Sequence, residues 1–181
     1  MSQMSQMSQR RITWLRRWEG EGLRNSEIEF SSDGVNDSLT DALAPARFHE
    51  YLTGELSMAN REKRTITLIS VRLASPASPG DSMRSASNDS AEKIHHELKI
   101  LSSDIRRLLR GGDQIGRISE DGFWILIRGD QNAAEIASHR FMREVGESTW
   151  REKWRVRYCE SEVGEEIKNL LRRMDQIHFT K

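Results

Sequence analysis

Helical periodicities that alternate with strand-like runs predict an α/β sandwich, a layer of paired strands flanked by helices, in a chain of 181 residues. Three observations carry the prediction. Two apolar runs, Gln114 to Ile118 and Phe123 to Ile127, flank the short stretch Ser119 to Gly122, the pattern of a β-hairpin. Long three- and four-residue apolar periodicities lie on both sides of that hairpin. The length suffices for one buried core with flexible ends and is too short for two ordinary domains.

The elements follow in order. Met1-Ser2-Gln3 is repeated twice more, a polar low-complexity start that reads as a disordered tail. Arg10 to Trp18 sets Ile12, Trp14, Leu15 and Trp18 among four arginines. That spacing fits a short basic amphipathic helix, which either docks on its own domain or grips a membrane surface or partner helix. Gly20 to Asn36 is polar and turn-rich, a linker with a small edge element at Ile28 to Phe30. Residues 1–36 are thus expected to be a flexible tail and 37–181 the folded domain. Phe48, Tyr51, Leu52, Leu56 and Ala59 mark a helix that tolerates Pro45 in its first turn. Thr65 to Leu73, rich in Ile, Leu and Val, predicts a central strand. The Ser/Pro/Ala/Gly-rich stretch after Ala74 has almost no apolar anchor, and a mobile loop is expected over 74–91. Ile94, Leu98, Leu101, Ile105 and Leu108 or Leu109 mark a second long helix, ended by Gly111 and Gly112. After the hairpin, Ala133, Ile136, Ala137, Arg140, Phe141 and Val145 give a third helix. Trp154 to Tyr158 reads as a further strand, and Glu165 to Ile177 as a terminal helix with Ile167, Leu170, Leu171 and Met174 inward.

Composition narrows the function. Lys and Arg number 28, as do Asp and Glu, so no overall field favours nucleic acid or an anionic membrane, and any anion site must be local. Cys159 is alone and cannot form an internal disulfide. No run approaches the roughly 18 apolar residues of a membrane span, and no apolar signal-peptide core follows the start; a cytoplasmic protein without stable membrane insertion is expected. His95 and His96 are adjacent, so on a helix they share no face, and no metal site is expected. Cys159 reads as a packed or edge thiol. Trp150 and Trp154, flanking Arg151 and Lys153, either cover the rim of the core or stack on a partner.

The stretch Arg117-Ile118-Ser119-Glu120-Asp121-Gly122-Phe123-Trp124 resembles the R-Y-G-G-D-E-F-A signature of bacterial diguanylate cyclases, the GGDEF family, in degenerate form. Other pieces agree in order. Asp37-Ser38-Leu39-Thr40 resembles the family's D-x-L-T opening, with Phe48 at the aromatic of its first helix. Leu170 to Gln176 resembles its closing L-x-x-A-D-x-A-L-Y segment, with Met174 at the alanine. The resemblance implies a GGDEF/nucleotide-cyclase-like sandwich with a central mixed or mostly antiparallel sheet of about five strands flanked by helices. Between Cys159 and Gly164 the family usually has more chain, often another strand pair.

Cyclase chemistry joins two GTP molecules by attack of a 3′-hydroxyl on an α-phosphate, with magnesium held by hard oxygen ligands. Aligned with the family, Ser70 falls at the metal-binding aspartate of the first strand and Arg72 at a second acid. Ser119 and Glu120 replace the two glycines that let GTP lie against bare backbone, Asp121 is retained, Gly122 stands at the glutamate and Phe123 keeps the aromatic. The base-reading segment falls in the Ser/Pro loop, with Ile94 and His95 at its G-D pair. The resemblance therefore implies a domain without catalytic activity and without a cofactor.

Arg110-Gly111-Gly112-Asp113 matches the family's R-x-x-D inhibitory site, which binds cyclic di-GMP, with the family's five-residue gap between Asp113 and Ser119. An arginine fork chelates guanine O6 and N7, and a carboxylate accepts from guanine N1 and N2. Arg140, or its neighbour His139, falls at the arginine that the family adds from the following helix. A helix end turning into a strand needs the same two glycines, and Arg172-Arg173-Met174-Asp175 repeats the pattern where packing is expected. The expectation is an inactive GGDEF-like receptor for cyclic di-GMP, reporting to a partner in a bacterial surface, motility or exopolysaccharide system. The rival is a nucleotide-independent scaffold that pairs with another GGDEF protein, an effector or a second copy of itself.

Overall fold

The computed structural model describes residues 34–74, 88–119 and 121–179, with side chains at 88–91 and 178–179 left aside. The expected Arg10 to Trp18 helix, the Ile28 to Phe30 element, Glu120 and most of the Ser/Pro loop lie outside these residues. The described elements are helix α1 (Pro45–Glu62), strand β1 (Thr67–Leu73), α2 (Asn88–Leu108), β2 (Gln114–Ser119), β3 (Gly122–Ile127), α3 (Gln131–Val145), α4 (Glu147–Lys153), β4 (Trp154–Glu160) and α5 (Ile167–Phe179).

Among the described residues the sheet has four strands in the order β2-β3-β1-β4, every neighbouring pair antiparallel. That is one strand fewer than expected; the four strands pair antiparallel throughout, and the isolated bridge of Leu43 with Gly116 is parallel. β4 passes into the turn before α5 with no strand between them. Two further corrections concern helices. Residues 88–91, expected in the loop, are helical backbone, and the short α4 was not anticipated.

Strand alternation sends side chains to two separate cores. Ile69, Val71, Ile115, Phe123, Ile125 and Ile127 meet α2 and α3 on one face, and Leu68, Trp124, Leu126 and Cys159 meet α1 and α5 on the other. Trp150 and Trp154 are buried in the first core rather than lining its rim. Each helix obeys a local rule. Pro45 opens α1 where a missing N–H costs nothing, and left-handed Lys63 closes it (φ 54°). The Asp130 carboxylate accepts from the Ala133 N–H at 2.9 Å to cap α3.

The segment before α1 is stitched to the hairpin. Leu43 donates its N–H to the Ile115 carbonyl and accepts from the Arg117 N–H, each at 3.0 Å, while Asn36 bridges Leu43 from outside. Beneath it, the Arg117 guanidinium reaches both carboxylate oxygens of Asp37 at 3.0 and 3.1 Å, with the two residues 6% and 1% exposed. Asp37 also accepts from the Thr40 N–H and hydroxyl. This buried pair joins the 37–40 segment to β2 ahead of the hairpin turn, a partnership that residue spacing alone does not reveal.

Candidate functional site

The fold brings Ser70 and Arg72 beside the hairpin turn. Ser70 pairs with Trp124 and Arg72 with Gly122 across the β1/β3 ladder, so Arg72 lies next to Asp121 and Ser70 two residues further down the strand. A bulge between Arg117 and Ser119 then sets Ser119 opposite Gly122. Close approach explains the glycine: a Cβ at Gly122 would stand 2.7 Å from the Val71 carbonyl oxygen. Arg72 Nη2 lies 2.6 Å from Asp121 Oδ2, and the Ser119 hydroxyl donates to Oδ1 at 2.7 Å. Burial alone would raise the Asp121 pKa, but the Arg72 guanidinium and the Ser119 hydroxyl outweigh it and hold the carboxyl below its usual range. A hydroxyl and a cation do not fit a magnesium site, which needs converging anionic oxygens. The retained acid of the turn is neutralised by Arg72, a cation from β1. Among the described residues no three His, Cys, Asp or Glu side chains gather in a metal-binding group.

The second expected site lies at the opposite end of the hairpin, where α2 passes into β2. Gly112 takes φ +94°, a conformation that favours glycine, and a Cβ there would displace the Arg128 guanidinium, 2.4 Å away at Nη1. Asp113 is 7% exposed. One carboxylate oxygen accepts from the Arg110 N–H at 3.3 Å and the other from the Arg128 N–H at 3.1 Å. Arg110 is exposed, and its guanidinium forms no ion pair with Asp113. The two groups therefore do not converge on one open surface: the arginine faces solvent and the carboxylate faces the backbone. Arg140 lies on α3, half-buried, with its Nε buried and without a hydrogen-bond partner among the described residues. His139 beside it is exposed.

A clamp that the sequence reading missed holds this turn from behind. The Tyr51 hydroxyl donates to the Gly112 carbonyl at 3.0 Å. The Arg128 guanidinium grips the buried Glu55 carboxylate through Nε at 2.7 Å and through Nη2. Burial first, then the Glu55 charge, pushes the Tyr51 hydroxyl above its usual pKa. Glu55 sits among Leu52, Leu56 and Ala59 on the apolar face of α1, and a charged residue at a core position was the available signal.

Other candidates resolve simply. Asp175, within the second Arg-x-x-Asp instance, is buried in α5. His95 and His96 are exposed on α2. Cys159 is buried in the second core, and burial pushes its thiol up to about 11, which suits a packed thiol and not a nucleophile. No helix of the described residues is long and apolar enough to cross a membrane.

No family model and no curated protein sequence matches the chain. Solved structures do. The GGDEF domain of DgcB from Caulobacter crescentus, in complex with cyclic di-GMP, is 16% identical over 85% of this chain and 90% of that one, with a TM-score of 0.61. The GGDEF domain of FimX from Pseudomonas aeruginosa is 13% identical over 78% of this chain and 90% of that one (TM-score 0.60). The diguanylate cyclase SiaD from Pseudomonas aeruginosa, in complex with its activator SiaC, is 16% identical over 96% of this chain and 65% of that one (TM-score 0.60). At such identities the likeness is one of architecture, and the chain has a GGDEF-like α/β fold whose antiparallel four-stranded sheet is flanked by helices.

Proposed function

We propose that this domain is a catalytically silent GGDEF-fold module that signals through protein contacts rather than by turning over nucleotide. The observation that carries the reading is the Arg72–Asp121 pair at the degenerate turn. A guanidinium beside the one retained acid opposes divalent metal, and Ser119 occupies backbone that GTP would approach. Positioning and electrostatics of phosphoryl transfer are removed together. The burial of Asp113 supports contact over ligand, since a carboxylate committed to two backbone amides serves the turn itself. SiaD, a relative in fold, is a precedent for a partner protein engaging such a domain.

A cyclic di-GMP receptor is the second reading, and one observation favours it: Arg110 is exposed beside a glycine turn, and α3 carries Arg140, whose buried Nε has no hydrogen-bond partner among the described residues. Binding on this reading rests on the arginines, with Asp113 shaping the turn. The DgcB domain of the same fold was solved with that ligand.

Three measurements test these readings. Purified protein incubated with GTP and magnesium or manganese is expected to form no cyclic di-GMP; product formation would overturn the silent assignment. Calorimetry with cyclic di-GMP on the native chain and on Arg110→Ala separates ligand from contact. Heat that disappears in the variant would establish the receptor, and partner capture indifferent to the nucleotide would establish the scaffold.

A further inference from the structure

Among the described residues the sheet has one uncovered edge. At the β2 side, Leu43 runs alongside Gly116 and Asn36 bridges Leu43, whereas β4 is paired only with β1 among the described residues. On β4, Arg155 and Arg157 are exposed and lie on the same face as Arg72, in register with Arg72 and Ser70. Cross-strand arginines repel, and Arg72 is relieved by Asp121. Among the described residues Arg155 and Arg157 have no such relief: there their guanidinium groups donate to the backbone carbonyls of Arg151 (3.3 Å) and Val156 (2.9 Å). Between and beyond them, Val156 and Tyr158 are half-buried against the first core. The edge thus alternates uncompensated cation and apolar side chain, with a row of strand backbone to offer.

A segment that fits must alternate acid with apolar residue. The sequence contains one, Glu27-Ile28-Glu29-Phe30. Placed beside β4 in either direction, Glu27 and Glu29 fall opposite Arg155 and Arg157 while Ile28 falls opposite Val156. We infer that the β4 edge takes the Glu27 to Phe30 segment of a second copy of this chain, as an added strand held by backbone bonds and two carboxylate–guanidinium pairs.

Reach decides that the segment comes from another copy. Asn36 lies outside Leu43 and β2, so a strand beyond β4 is six strand spacings away, about 29 Å at roughly 4.8 Å each. The six residues from Phe30 to Asn36 span at most about 21 Å when fully extended. The chain cannot cover its own edge with this segment.

The inference rests on the protein-contact reading and names one partner for it. Arginines at a strand edge also serve simply to repel other strands, and a charge-reversal pair separates the two roles. Sedimentation of the full chain is expected to show concentration-dependent self-association at up to about 1 mM. Glu27→Lys/Glu29→Lys should be monomeric, as should Arg155→Glu/Arg157→Glu, because each sets like charges together. Mixing the two variants should restore association, since the lysine segment of one meets the glutamate edge of the other and the reverse contact also holds. Arg155 and Arg157 are exposed, and circular dichroism of each variant confirms folding. A native chain that stays monomeric, or variants that associate as the native chain does, or a mixture that stays monomeric while the native chain associates, would overturn the inference. Nucleotide-independent capture of a different protein would leave the broader contact reading intact, so the two failures are distinguishable.

Discussion

At the residue scale, carboxylates in this fold differ by what they face. Asp113 faces two backbone amides, so Asp113→Ala should leave both part-buried donors without their carboxylate and lower stability by about 1 kcal/mol, read as a lower urea midpoint. Arg110→Ala should leave that midpoint nearly unchanged, because the side chain is exposed. Asp121 faces a cation, and its folded pKa lies below the unfolded value near about 3.9. The folded state therefore binds fewer protons there. Its contribution is present at neutral pH and is lost as the pH falls through the depressed folded value. The stability gap between the native chain and Asp121→Asn should be widest at neutral pH and close below about pH 4, measured by urea unfolding across pH. Both partners are about one-third exposed, so solvent screening keeps the gap small.

At the scale of elements, periodicity made the fold readable, because period two and period 3.6 are imposed by backbone geometry wherever a face is buried. The apolar positions expected for α1, β1, α2, the hairpin, α3 and α5 lie in the two cores, or pack against them, apart from exposed Ile94 and Ile136. What escaped was short or set by neighbours. α4 has seven residues and one buried anchor, Trp150, too few for a periodic signal. Gly116 is another such case: within β2 its role is invisible, yet a Cβ would stand 2.4 Å from Phe48 Cγ. Gly116→Ala should force α1 off the hairpin and cost about 1–3 kcal/mol, seen as a fall in the thermal midpoint. The 110–113 turn was located correctly, but whether its two charged side chains met could not be read from their spacing. The answer depended on Arg128 and Tyr51, which arrive from other elements.

At the scale of the whole molecule, the Asp37–Arg117 pair fastens the entry segment to the sheet edge opposite β4. Arg117→Met leaves a buried carboxylate uncompensated and should cost about 3–5 kcal/mol, a large share of a typical total of about 5–15 kcal/mol. Adding Asp37→Asn should recover part of the loss by removing the stranded charge, which chemical denaturation of the single and double variants would show. If the double variant were no more stable than the single, Asp37 would matter for its bonds to Thr40 and not for its charge.

By itself the sequence determined the architecture and the identities at the hairpin turn: apolar spacing dictates which faces are buried, and Ser70, Arg72 and Ser119 are identities that no folding alters. Only the tertiary structure decided what those identities do to one another. Chain folding set Arg72 against Asp121, turned Asp113 inward to the backbone and left β4 as the open edge. Partnerships between charges depend on distances across strands and helices far apart in sequence, and local spacing carries no information about them.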